Sequence, residues 1–365
     1  MPTPPSRPRT LLACFAGLAL TGAAFAQPAA PVRLALNENP YGPSPQVVKA
    51  LQADLGGLFR YVGDEATALT NQIAAFEGVA PGQIILGEIL DPLGVHLSLQ
   101  GGPGGEFIYT VPGYPALVDA GARVGGVIVA VPLNAKLEND LPAIKARVSA
   151  KTRAVFLINP HNPSGTVNPA EEFLSFVRQI SKRALVIVDE AYLEFGDDYA
   201  KRTAASLTRA GENVMVFRTF AKVHGLAALP FGYAVAPRPL AEYLRKQGLG
   251  FSRDQNRLAL AAASASLRDT AHIVRVHDAV AAERVKWHAV LDELKLRHTD
   301  SQANFVYFDA ARLQAEVAKA LLADGVVVAR GFAPHTTWVR ITIGLPGENA
   351  RAQAAVKNLF GATAK

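Results

Sequence analysis

From residue 83 to about 236, short apolar runs alternate with stretches that carry an apolar residue every three or four positions. The runs at 84–86, 106–110, 124–131, 154–158, 185–189, 214–218 and 231–236 predict strands. The stretches at 93–99, 115–120, 141–148, 169–181 and 201–208 predict helices. Several of the strands are apolar at every position, so both of their faces are expected to be covered. Strands of that kind, alternating with helices, imply a three-layer α/β architecture around a mostly parallel sheet. Ligands of such sheets lie beyond the carboxyl ends of the strands, where the loops gather.

The flanking segments read differently. Asn37-Glu38-Asn39-Pro40-Tyr41-Gly42-Pro43 contains Asn-Pro and Gly-Pro steps that oppose regular structure, and it predicts an extended arm with turns. Ser44-Pro45 is a cap followed by proline at the first helical position, opening a helix to about residue 55. Tyr61 falls on a loop before a helix at 67–76. Beyond residue 257 come helices at 258–265 and 271–294, strands at 304–308, 326–328 and 338–343, and a last helix from Glu348. This predicts a smaller α+β C-terminal domain. The expected division is a leader at 1–26, an arm and first helix at 27–60 packing on the small domain, a large domain at 61–257 and the small domain at 258–365.

Composition changes the picture chiefly at the N-terminus. The chain has 365 residues, half of them hydrophobic, and a formal charge of +6. Arg7 and Arg9 precede an apolar run at 11–25, and Ala24-Phe25-Ala26 forms a small-x-small cleavage pattern. A secretory signal peptide cleaved after Ala26 is expected, with an uncleaved membrane anchor as the alternative. The sole cysteine, Cys14, lies in that segment, so the mature chain would have no disulfide, thiol nucleophile or cysteine-bound zinc. No metal is expected. Lysine and arginine form no block and do not alternate with aromatics, which argues against nucleic-acid binding. Export implies a periplasmic protein with no membrane attachment after cleavage.

Candidate chemistry gathers at the strand exits. Lys222 stands in Arg218-Thr219-Phe220-Ala221-Lys222-Val223-His224-Gly225-Leu226, directly after an apolar strand. A lysine so placed is expected to lose solvent and become a nucleophile for a carbonyl, although a lysine snorkelling from a helix start fits the same pattern. Asn159-Pro160-His161-Asn162-Pro163-Ser164-Gly165 forms a stiff turn that can hold the Asn162 amide in place. Val186-Ile187-Val188-Asp189-Glu190-Ala191-Tyr192 sets a carboxylate at the end of an apolar strand, where it needs a cation, several donors or a capping role. Val111-Pro112-Gly113-Tyr114-Pro115 offers an aromatic ring at a loop tip.

In order and spacing, Asn159–Gly165, Asp189–Tyr192 and Lys222 resemble the fold-type I, class I/II aminotransferases dependent on pyridoxal phosphate. The branch most resembled is that of histidinol-phosphate aminotransferase, and the likeness runs from the Asn37–Pro43 arm to Trp338-Val339-Arg340-Ile341-Thr342-Ile343-Gly344. The resemblance implies that Lys222 holds the cofactor as an aldimine and moves the proton, and that Asp189 pairs with the pyridine nitrogen. Asn162 and Tyr192 would bond the ring hydroxyl oxygen, and Tyr114 would stack on the ring. Arg340 would grip an anionic substrate group with its fork, with Arg330, Tyr41 and Asn37 also facing substrate. Tyr61 would reach the cofactor phosphate of a partner subunit, implying a homodimer with shared sites.

The departures fall on the phosphate. Ala221 and Pro230 stand where the family has serine and arginine, and Gly87-Glu88-Ile89-Leu90-Asp91 stands where it has a glycine-rich, small-polar helix start. His224 is read as a core or loop histidine, with a substitute phosphate donor as the alternative, and His335 has no assigned role. The function implied is transfer of an amino group between an amino acid or a phosphorylated amine and a 2-oxo acid. The alternatives are a decarboxylase or lyase on the same cofactor, and a relative that binds a ligand without turnover.

Overall fold

The computed structural model describes residues 30–361, so the predicted leader at 1–26 lies outside it. The eleven described strands are β1 (Val32–Leu34), β2 (Ile84–Leu86), β3 (Glu106–Val111), β4 (Val127–Pro132), β5 (Thr152–Ile158), β6 (Leu185–Asp189), β7 (Val214–Thr219), β8 (Gly232–Val235), β9 (Phe305–Asp309), β10 (Val326–Val328) and β11 (Trp338–Thr342). Seven of them form one sheet in the order β2-β8-β7-β6-β5-β3-β4. The pairings from β7 through β6, β5 and β3 to β4 are all parallel, and β8 alone runs against its two neighbours. The expected mostly parallel sheet is therefore present.

Alternation along each strand builds the layers. Val155, Leu157, Val186, Val188, Val214 and Val216 point to one face, where helices Pro45–Asp54, Glu65–Glu77, Ala170–Ser181 and Arg257–Arg268 cover them. Phe156, Ile158, Leu185, Ile187, Met215 and Phe217 point to the other, beneath helices Leu90–Gln100, Ala116–Ala122 and Arg238–Lys246. A further core joins helix Thr270–Glu293, β9, β11 and the last helix, Pro346–Gly361. No helix among the described residues is long and apolar enough to cross a membrane.

Several local expectations change. Helix Pro45–Asp54 opens as predicted, with Ser44 Oγ accepting from the Val47 N–H at 3.3 Å. It packs on helix Arg257–Arg268, the first helix of the segment expected to form the small domain, and sets Val47 into the apolar cluster of the large sheet. Helix Arg257–Arg268 joins that cluster too, through Ala259 and Leu260. The arm contains a strand that was not foreseen: β1 pairs in parallel with β10, joining segments about 290 residues apart in the chain. The run at 124–131 becomes a strand only from Val127, because Gly125 takes φ +95° in the preceding turn. The helix expected at 201–208 is split into Tyr199–Arg202 and Ala205–Arg209. Buried Glu190 causes the break, accepting from Thr203 Oγ1 at 2.9 Å and from the Ala204 N–H at 2.6 Å. Helix Arg238–Lys246 was not predicted.

Candidate active site

Three adjacent parallel strands, β5, β6 and β7, deliver one wall of the site. Ile158, Asp189, Phe217 and Thr219 share the face parity of the second layer, and they line a cavity of about 700 Å³ at the carboxyl edge of the sheet. Lys222, Asn162, Tyr192, Tyr114, Asn37, Arg330 and Arg340 line the same cavity. Of the ten residues singled out by sequence, Tyr41 and Tyr61 are not brought to it. Tyr41 is half-buried against the C-terminal core, where burial raises its phenol above the ordinary value. Tyr61 is 88% exposed.

The Asp189-Glu190 pair shows how strand period sorts charge. Asp189, last in β6, turns into the cavity wall and is 3% exposed; Oδ1 accepts from the Ala191 N–H at 3.0 Å. Burial pushes its carboxyl up to about 7, against the opposing pull of that hydrogen bond and of Lys222. Glu190 turns to the opposite face and meets Arg218, whose Nη2 lies 3.0 Å from Glu190 Oε2. Arg218 also reaches Glu77 at 2.7 Å and Glu194 at 3.7 Å. Sequence reading assigned nothing to this buried cluster. Its one local signal is a carboxylate at each of two consecutive positions ending an apolar strand.

Tyr192 is the hub of the polar wall. Its hydroxyl accepts from Asn162 Nδ2 at 3.3 Å and Asn37 Nδ2 at 3.1 Å, which leaves its own O–H free to donate. Asn37 holds a left-handed backbone, φ +56°, which asparagine tolerates, and it is locked by Thr342 and Asn304. Its bond to Tyr192 was not foreseen, because the partners lie 155 residues apart. Lys222 is half-buried rather than enclosed, with Nζ donating to the Leu36 carbonyl at 3.3 Å and standing 5.7 Å from the Tyr192 ring centre.

Arg340 is 7% exposed between the rings of Phe305 and Phe332, 5.2 and 4.8 Å from its guanidinium. Nη1 donates to Asn162 Oδ1 and Nη2 to the Ala35 carbonyl at 2.9 Å, while Nε has no partner among the described residues. Burial lowers its pKa to about 10. Arg330 is exposed at the rim, 4.9 Å from the same Phe332 ring. Tyr114 is 47% exposed on the opposite loop, its phenol raised to about 12 by partial enclosure and then by Asp189.

The far end of the cavity differs in charge. Glu88 and Asp91 both line it, beside Thr219 and Ala221. Glu88 keeps exposed area because the cavity is open, yet the surrounding walls desolvate it enough to raise its carboxyl. His224 is no substitute donor there. It is 8% exposed, its Nδ1 is 2.8 Å from Ser266 Oγ, its ring packs on Phe220, and burial lowers it to about 3. His335 lies outside the cavity, 3.2 Å from the Tyr307 hydroxyl.

A lysine and a buried carboxylate at adjacent strand ends, flanked by an amide-held phenol and a caged arginine, form a site whose chemistry suits an aldehyde cofactor and an anionic amine. Comparison with known proteins agrees. Residues 30–356 match the family model described as aminotransferase class I and II. The chain is 35% identical to a histidinol-phosphate aminotransferase of Limosilactobacillus fermentum, over 89% of each chain. It is 32% identical to one of Caldicellulosiruptor saccharolyticus, over 90% of this chain and 92% of the other. A crystal structure of histidinol-phosphate aminotransferase from Sinorhizobium meliloti in complex with pyridoxal-5'-phosphate superposes with a TM-score of 0.81 at 27% identity, covering 92% of both chains. The chain belongs to the class I and II aminotransferases, and its activity is transamination with pyridoxal phosphate.

The cavity's donor set fits the ring of that cofactor. Asp189 would offer a buried carboxylate to a protonated pyridine, Tyr192 a free O–H to the ring oxygen, and Lys222 a loosely held amine to the aldehyde.

Proposed function

We propose that this chain moves an amino group between a small anionic amine, of the amino-acid or histidinol-phosphate type, and a 2-oxo acid. The observation that carries the reading is the convergence of Lys222, Asp189, Asn162, Tyr192 and Arg340 on one cavity. The cofactor supplies an electron sink for negative charge at the substrate's α-carbon. Asp189 holds the pyridine proton in place, and a cation beside it returns its raised carboxyl to the charged form. Asn162 and Asn37 aim the Tyr192 hydroxyl. Lys222 Nζ, which among the described residues donates to the Leu36 carbonyl, serves as nucleophile and then carries the proton. Arg340 takes the substrate's anion through its remaining N–H groups, and the two flanking rings fix its plane.

The active form in this reading is a homodimer. Supporting it, Leu55, Leu58, Phe59 and Tyr61 are all exposed on one short segment, a concentration of apolar area that suits a partner surface. Tyr61 would then complete the partner's cavity rather than its own. The working place is the periplasm, after cleavage behind Ala26; the support is the Arg7 and Arg9 flank, the apolar run and the Ala24-Phe25-Ala26 exit.

The test is the visible spectrum of the purified protein with added pyridoxal phosphate, beside Lys222→Ala. A band present in the wild type, fixed by borohydride and absent from the variant, is expected, followed by its conversion to the amine form by a panel of amino donors. A wild-type spectrum identical to that of Lys222→Ala overturns the reading. Light scattering that gives only a monomer at micromolar concentration overturns the dimer.

A further inference from the structure

A pyridoxal ring has its aldehyde and its nitrogen at opposite ends, so a ring held between Lys222 and Asp189 would divide the cavity. The hydroxyl and the phosphate-bearing arm flank the aldehyde on opposite sides. Asp189 ends β6, and Asn162 follows β5, the neighbour on one side. The arm would therefore fall on the other side, toward β7, β8 and β2, where Thr219 and Glu88 stand.

That side presents the carboxylates of Glu88 and Asp91. Thr219 Oγ1 lies 3.4 Å from Glu88 Oε1, and Glu88 Oε1 stands 3.2 Å from where a Cβ on Gly232 would be. The Gly87 N–H, a backbone donor at this turn, is already taken by the Gly232 carbonyl at 2.8 Å. Asp91 occupies the first turn of helix Leu90–Gln100, so the positive end of that helix already faces a carboxylate of its own chain. A second cavity of about 380 Å³ meets the first at Glu88; it is lined by Pro230 and Asp254, and the described residues of its wall include no lysine or arginine. The two arginines of the main cavity stack on Phe332 at the substrate end.

Resting on the aminotransferase reading above, we propose that Glu88 takes the place of a phosphate contact, so that this chain binds pyridoxal, whose arm ends in a hydroxyl, about as well as pyridoxal phosphate. A hydroxyl donates to the Glu88 carboxylate; a phosphate beside Glu88 and Asp91 is repelled. Cofactor affinity then resides in the ring contacts of Asp189, Tyr192 and Lys222.

The experiment is spectroscopic titration and equilibrium dialysis of the cofactor-free protein with pyridoxal phosphate and with pyridoxal, for the wild type, Glu88→Gln and Asp91→Asn. Borohydride fixation and intact mass provide a second readout. Dissociation constants for the two ligands within about tenfold of each other in the wild type are expected, together with tightening of pyridoxal phosphate by about tenfold or more in Glu88→Gln while pyridoxal changes little. A wild-type preference for pyridoxal phosphate above tenfold, or a Glu88→Gln protein that does not tighten it, overturns the proposal and leaves the aminotransferase reading standing. Should Glu88→Gln not fold, the wild-type ratio and Asp91→Asn decide. Failure of both ligands to be fixed on wild-type Lys222 overturns the aminotransferase reading and this proposal together.

Discussion

Arg218 is the buried charge on which the site's backbone rests. It is 2% exposed, and around it stand Glu190 at 0% and Glu77 at 3% side-chain exposure, with Glu194 at the margin. Thr203 Oγ1 accepts from Nη2 at 2.9 Å, and the Tyr199 ring centre lies 4.8 Å from the guanidinium. Burial works against the charge, yet Tyr199, Glu190 and Glu77 outweigh it and hold Arg218 well above its ordinary value. Burial lifts Glu194 to about 7, so near neutrality it is partly protonated, and the carboxylates closest to Arg218 are those of Glu190 and Glu77. Arg218→Met keeps much of the volume and removes the cation. Two enclosed carboxylates are then left without a partner, a change that costs about 3–5 kcal/mol. At about 2 °C per kcal/mol for a chain of this size, Tm at pH 7.5 falls by about 6–10 °C in scanning calorimetry. The deficit shrinks at pH 5, below the value of about 7 to which burial lifts Glu194, because the proton taken up there removes a charge that Arg218 faced; burial pushes Glu190 in the same direction. Because Glu190 follows Asp189 and Arg218 lies four residues before Lys222, the variant also loosens the two strand exits, and its cofactor band weakens. A fall in Tm below about 2 °C, or one equal at both pH values, would refute the reasoning.

Two further outcomes follow from the same geometry. The folded carboxyl of Asp189 titrates near 7 and its ordinary value is 3.8, so between about pH 4 and 7 the folded chain retains a proton that the unfolded chain has released. Its contribution to stability in the cofactor-free protein therefore declines as pH rises through that window; Asp189→Asn flattens the slope of Tm against pH, and parallel curves would count against the assignment. Gly225 holds φ +73°, and a Cβ there would run into the backbone of Gly42 and Pro43, so Gly225→Ala pushes the arm off the Lys222 loop at a cost above about 1 kcal/mol. Gly347, with no neighbour near its Cβ position, is the control: Gly347→Ala leaves Tm nearly unchanged in a thermal-shift assay, and equal behaviour of the two variants would exclude the clash.

What the sequence determined by itself is whatever a strand or a helix encodes in its own periodicity. The apolar runs of β5, β6 and β7, the stiff Asn-Pro turn after β5, the Asp189 exit and Lys222 are local features, and each lies where the pattern predicted. Ser44 as a cap is equally local, since its acceptor and donor are three residues apart. What only the tertiary structure decided is which distant segments meet. Neither β1 nor the wall formed by Asn37 and Tyr192 has any periodic signature, because their partners come from the far end of the chain or from another strand exit. His224 is a core residue because Ser266 happens to stand beside it, and the 201–208 helix breaks because Glu190 reaches Thr203. The direction of Glu88 belongs to the same class. Chain geometry repeats every two or 3.6 residues and so sorts faces locally. The environment of a charge, by contrast, is set by every element packed against it, and that emerges only when the layers close.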